Sequence, residues 1–262
     1  MDYRMTDDQR AIRASVMDLC RRFPPAYWRE KDAKGGFPDD FYRAVAESGW
    51  LGIAMPQEFG GSGLGITEAA VMMQAIGECG GGLSACSAIH MNIFGLSPVV
   101  AFGTDEQKRR MLTPLIRGET KACFAVTEPN TGLNTLRLKT FAARKGDHYV
   151  VNGQKVWISR IQHSDLMILL ARTTPVEQVK RKSEGMSIFI VDLKEAIGKG
   201  MTVRPIRNMV NHETNEVFFD NLEIPAENLI GEEGQGFKYI LDGLNAERTL
   251  IAAECIGDAY WF

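Results

Sequence analysis

The chain has 262 residues, 45% of them hydrophobic and 24% charged, with a net charge of −3. That composition excludes a disordered polymer and is enough to bury one large core or two ordinary ones. The balance of charge leaves no footprint for nucleic acid or an anionic membrane, and no apolar run reads as long enough to span a bilayer. The opening MDYRMTDDQR lacks both a signal h-region and the acid-poor look of a transit peptide. Five cysteines (Cys20, Cys79, Cys86, Cys123 and Cys255), an odd number without CxxC spacing, read as buried thiols of a reducing compartment.

The first part of the chain predicts helices. Thr6 with Gln9 is a capping box, and Ile12, Val16, Leu19 and Phe23 then mark one face. PDDFYRAVAESG runs from Pro38 to Gly49 with the asymmetry of a short helix. Thr67 is placed to cap EAAVMMQAIGECG. Ser84 to Phe102 reads as a buried helix disturbed near Gly95 and Pro98, and Thr104 with Gln107 is a second capping box. After Lys121 the pattern changes to six or more short runs rich in β-branched and aromatic residues. KGD and Asn152-Gly153 are read as hairpin turns between them. Strands without intervening helices predict a barrel or sandwich, with the polar segment from Thr173 to Gly185 as a surface loop. From Gly234 the chain is helical to its last residue, with Ile240, Leu244, Ile251 and Cys255 as an apolar face that lacks a partner.

Several motifs are weighed against plainer readings. GGSGLG and GEEGQG fail the GxGxxG spacing and read as loops, not as a dinucleotide site. His90, His148, His163 and His212 have no metal-ligand spacing, so no metal site is expected. No nucleophile elbow appears. The turn TEPNTGLNT offers the Thr127 hydroxyl and free backbone N–H groups, which suit an anionic or amide-rich ligand; it also reads as an ordinary connection between strands. Trp157 and Ser159 share one face of a strand, where Trp157 could be core or could cover a flat cofactor. Glu247 lies on the stripe of Ile240, Leu244 and Ile251. There it is either a desolvated acid with a raised pKa, suited to general base work, or a helix-edge Glu reaching solvent.

Taken in order, SGWLGIAMPQEFGGSGLG, FGTDEQKRRMLTPLIRGETKACFAVTEP, GDHYVVNGQKVWIS and PAENLIGEEGQGFKYIL resemble the acyl-CoA dehydrogenase family of FAD-dependent flavoproteins. The likeness covers essentially the whole chain. It implies an α+β multi-domain fold: an all-α N-terminal domain (1–120), a middle antiparallel β-barrel (121–232), and the first helix of a C-terminal helical bundle (233–262), the chain stopping early in that third domain. It implies FAD held by Phe124, Ala125, Val126 and Thr127, continued by Gly132 and Leu133, with Trp157, Ile158 and Ser159 on a second strand. Because this family lacks a Rossmann fingerprint, the failed glycine motifs do not count against FAD.

The implied reaction is α,β-dehydrogenation of an acyl-CoA. A base removes the α-proton, hydride passes to flavin N5, and an electron-transfer flavoprotein takes the electrons. In a subgroup that includes isovaleryl- and long-chain enzymes the base lies on this last helix, at the position of Glu247. Leu133, Asn245 and Arg248 match positions near the substrate. Leu133-Asn134 departs from the family's usual Ser-Asp and removes a hydroxyl, while Ser159 keeps one in place of Thr. The resemblance further implies a homodimer or homotetramer, in the bacterial cytoplasm or, in a eukaryote, the mitochondrial matrix. Alternative readings are an acyl-CoA or nitroalkane oxidase on the same scaffold, or a truncated remnant without catalysis.

Overall fold

A computed structural model describes residues 4–208 and 213–262; residues 1–3, which open the MDYRMTDDQR stretch, and His212 lie outside the described residues. The helices are α1 (Asp7–Cys20), α2 (Pro25–Lys34), α3 (Asp39–Glu47), α4 (Ile66–Ile76), α5 (Gly82–Phe94), α6 (Ser97–Phe102), α7 (Asp105–Ile116), α8 (Leu193–Ala196) and α9 (Gly236–Trp261). The strands are β1 (Ala122–Ala125), β2 (Phe141–Lys145), β3 (His148–Ser159), β4 (Leu166–Arg172), β5 (Met186–Asp192), β6 (Met201–Ile206), β7 (Thr214–Pro225) and β8 (Leu229–Ile230). Contacts divide the chain into two compact units. One comprises Met1–Phe94, Thr113–Glu119 and Leu244–Phe262; the other comprises Gly95–Leu112 and Thr120–Gly243.

The helical unit starts as its sequence predicts. Thr6 Oγ1 accepts from Gln9 N at 3.2 Å and the Gln9 side chain accepts from Thr6 N at 3.0 Å. This reciprocal cap satisfies donors that the first turn would otherwise leave open. The α1 residues Ile12, Val16 and Leu19 are buried. Beside them, Phe23, Tyr27, Trp28 and Phe41 meet edge to face. The cap of α4 differs from expectation. Gly65, not Thr67, is the N-cap, and its N–H donates to the Glu68 carboxylate at 3.1 Å.

The apolar face of α9 keeps Ile240, which is buried, but is phased differently in the second half of the helix. Leu250, Ala253 and Glu254 are buried, whereas Cys255 and Ile256 are exposed. Small residues set this phase. A Cβ on Gly257 would lie 2.1 Å from Gln74 O, and one on Gly77 would lie 2.7 Å from Glu254 O. The second half of α9 therefore packs backbone to backbone on α4 and on the π-helical turn Gly77–Gly81, and this stretch of the helix does have a partner. Burial also corrects the reading of the cysteines, since Cys255 is exposed while Cys20, Cys86 and Cys123 are buried.

One expectation about length needs correcting. The helical run Ile66–Phe102, at 37 residues, is long and apolar enough to span a membrane, but 61% of its most apolar window is buried inside the protein. Gly80 interrupts it with φ 84° and ψ −4°. Its side chains Met72, Met73, Ala85 and Ile89 belong to the packed core of the helical unit.

The second unit is built on a sheet in the order β6-β7-β3-β2-β4-β5-β8, with β1 pairing off this path to β4. The path does not close, so the expected barrel is an open sheet. Nor is it wholly antiparallel, because β1 and β2 both pair parallel to β4. β4 reads LMILLAR because it is buried along almost its entire length. The turn at Gly146 makes the expected β2–β3 hairpin. Asn152-Gly153 makes none. It lies inside β3, at a register shift against β7 between Val151 and Gly153. A Cβ on Gly153 would lie 2.6 Å from Thr140 Oγ1 and 2.7 Å from Thr140 Cα, so the glycine serves close packing and not a reversal.

Candidate functional site

In the sheet unit the residues predicted around the turn come together through a second irregularity of β3. Between Lys155 and Ile158 the strand leaves its register with β7. There the Val156 N–H donates to Thr127 O at 3.0 Å, which ties the strand to the end of β1. Trp157 occupies this bulge with φ 62°, a left-handed conformation rarely adopted by a bulky residue. Such strain costs about 1–3 kcal/mol and concentrates at functional sites. Its indole is 60% exposed. Ile158 is buried and Ser159 half-buried, so Trp157 and Ser159 lie on the outer side of the strand while Ile158 belongs to the core.

On the facing segment, Phe124 and Thr127 are half-buried, and Ala125 and Val126 are buried. Ala125 and Val126 therefore offer a ligand their backbone only. Gly132 is exposed with open space where a Cβ would stand, and Leu133 is fully exposed.

The polar turn is held from within by a pair that the sequence did not disclose. Glu128 N donates to Thr131 O and Thr131 N to Glu128 O, both at 3.0 Å. The Glu128 carboxylate accepts from Lys139 N (2.6 Å), Thr140 N (2.9 Å) and Lys155 Nζ (3.0 Å). Lys155 also donates to Val126 O at 3.0 Å and is fully buried. Burial pushes Lys155 down to about 8, against the pull of Glu128. Burial alone would raise Glu128, but the charge of Lys155 and the donated hydrogen bonds hold it below its ordinary value. Lys155 sits 27 residues from Glu128, and a lysine inside a strand, ahead of Val156, Trp157 and Ile158, was the available signal.

The helical unit carries the other predicted residues. Asn245 and Arg248 are exposed on α9 and bond to each other, Arg248 Nη1 donating to Asn245 Oδ1 at 3.0 Å. Glu247 is half-buried. Burial raises its carboxyl above the ordinary value, the charges of His90 and Arg248 pull it back, and Glu254 adds to the rise. Two turns further along, Glu254 is 1% exposed, and its oxygens lie 3.1 and 3.4 Å from His90 Nδ1. His148 and His163 are also paired with acids, at 3.0 Å with Asp147 and 2.9 Å with Glu213.

An exposed Trp157 in a strained bulge, next to the Val156 N–H that bonds the Thr127 carbonyl, and the open backbone at Gly132 are features of the kind that suit a flat heteroaromatic ring such as a flavin. The family models for the acyl-CoA dehydrogenase N-terminal domain and middle domain match residues 6–119 and 123–222. The probable acyl-CoA dehydrogenase YngJ of Bacillus subtilis is 33% identical over 264 residues, covering 99% of this chain and 67% of that protein. The mitochondrial isovaleryl-CoA dehydrogenase of Pongo abelii is 30% identical, covering 97% and 60%. The crystal structure of an acyl-CoA dehydrogenase from Geobacillus kaustophilus superposes with a TM-score of 0.86 at 28% identity, covering 97% and 66%. The chain belongs to the acyl-CoA dehydrogenase family, whose members are FAD-dependent oxidoreductases, and it spans about two thirds or less of the length of these relatives.

Proposed function

We propose that this protein carries out FAD-dependent α,β-dehydrogenation of an acyl-CoA thioester, with Glu247 as the base that takes the α-proton. The observation that carries this reading is the half-buried Glu247 on α9, a carboxyl whose burial raises its proton affinity. An α-proton next to a thioester is weakly acidic, so a base with a raised pKa near the working pH is the one suited to removing it. FAD, when bound, supplies the acceptor for the β-hydrogen. Thr127, Gly132 and Trp157 would hold it, the indole covering one ring face and the backbone of Ala125 and Val126 offering polar contacts. The mutually bonded Asn245 and Arg248 would lend positive charge to the CoA end of the substrate. The electrons would pass to an electron-transfer flavoprotein, and the assembled enzyme would be a homodimer or homotetramer.

The test is the visible absorbance of the flavin-loaded protein on addition of a panel of acyl-CoAs. Bleaching is expected, and Glu247→Gln should slow it by about 10²–10⁴-fold with flavin retained. Unchanged bleaching in that variant removes Glu247 as the base.

A further inference from the structure

Lys155 is wholly buried in β3, two residues before Trp157, and its ammonium has two acceptors on one short segment. Val126 O and Glu128 Oε1 each lie 3.0 Å from Nζ. A third bond joins the same two segments, the Val156 N–H donating to Thr127 O at 3.0 Å. Thr127 is thus flanked on both sides by contacts of one cation. Stability alone gives little reason for this arrangement, because a buried ion pair can often be replaced by apolar residues of similar volume without loss. What the lysine does that an apolar residue cannot is place a charge on the carbonyl of Val126.

That carbonyl is one end of a peptide group whose other end is the Thr127 N–H. A cation bonded to the oxygen draws electron density through the conjugated amide and makes the N–H a stronger donor, as hydrogen bonds in a chain polarise one another. The ion pair is neutral as a whole, but its two ends are not equivalent at this peptide. The ammonium touches it. The carboxylate also accepts from Lys139 N at 2.6 Å and Thr140 N at 2.9 Å, which spreads its charge over the segment leading into β2. With its value pushed down only to about 8, the ammonium keeps most of its charge at neutral pH.

We propose that Lys155 is a positioning residue that sets the redox balance of the bound flavin: through the Val126–Thr127 peptide its ammonium sharpens a backbone donor of the flavin seat, and so favours the reduced, more electron-rich ring over the oxidised one. The proposal rests on Thr127 as part of that seat. An equilibrium between two states shifts only by the difference in how each is bound. A lysine that merely braced the turn would weaken both redox forms alike and leave the potential unmoved.

The experiment is the midpoint potential of bound FAD, by equilibration with a reference dye, in the parent and in Lys155→Met with Glu128→Gln, which removes both charges of the pair together. Loss of the charge-assisted bond should cut the preference for reduced over oxidised flavin by about tenfold, which for a two-electron couple is a potential lower by about 30 mV. An unchanged or higher potential overturns the proposal. Where the variant holds flavin too weakly for equilibration, the separate dissociation constants of oxidised and dithionite-reduced FAD give the same ratio. Where it does not fold, Lys155→Gln with Glu128→Gln keeps a polar contact across the gap and is read by the same sign. Parental FAD affinity in Trp157→Gly would instead remove the flavin seat itself, an outcome separate from an unmoved potential in a protein that still needs Trp157 to hold flavin.

Discussion

Glu128 in the sheet unit and Glu254 in the helical unit are both almost fully buried, at 6% and 1% exposure, yet they are accommodated in different ways. Glu128 is met by a lysine and two backbone amides, which between them make it a fixed anion. Glu254 is met by a single histidine nitrogen. The first arrangement freezes a turn. The second joins α5 to α9 through one side chain. Burial of an acid therefore says little by itself, and the number and identity of its partners decide how firmly it is held.

The largest expected effect breaks the clamp. Lys155→Met leaves Glu128 buried without its cation and should cost about 3–5 kcal/mol, read as a lowered denaturation midpoint. The double variant Lys155→Met with Glu128→Leu should recover part of that loss. If Lys155→Met proves neutral, the clamp interpretation fails. Next comes the close packing that brings α9 within reach of α5. Gly257→Ala places a methyl group 2.1 Å from a backbone oxygen and should cost about 1–3 kcal/mol by chemical denaturation.

A smaller and opposite effect is expected at the strained bulge. Trp157→Gly relieves a positive φ and should match or exceed the parent in stability, by about 1 kcal/mol, while flavin retention on gel filtration is lost. The smallest effect is a slope. Because the folded state binds the Glu247 proton more tightly than the unfolded chain, stability should fall as pH rises from 4.5 through the raised value. Thermal unfolding across that window should show a flatter profile in Glu247→Gln.

What the sequence made legible was local. Both capping boxes appear as read, including Thr104 Oγ1 accepting from Gln107 N at 3.2 Å, because all their parts lie within one turn. The helical start, the change to strands after Lys121 and the long last helix follow from periodicity in the same way. Asn152-Gly153 was misread because a dipeptide's turn preference is weak against a strand that needs a glycine to clear Thr140. The phase of α9 was misread because large side chains were taken to mark the contact, whereas Ala253 and Gly257 make it. That error hid Glu254, whose partner His90 lies 164 residues away. The Glu128–Lys155 pair escaped for the same reason of distance in sequence.

The Arg172 guanidinium, at the end of β4, donates to four carbonyls: Leu136 O (2.8 Å), Leu138 O (3.3 Å), Lys182 O (3.0 Å) and Glu184 O (3.2 Å). Two belong to the segment that follows the Thr127 turn and two to the polar stretch between β4 and β5. The guanidinium thus grips the stretch by its main-chain path. Its length is constrained, since shortening it would pull two acceptors off a cation that also steadies the segment after the Thr127 turn. Anyone grafting an epitope or tag into this strap should replace residues one for one.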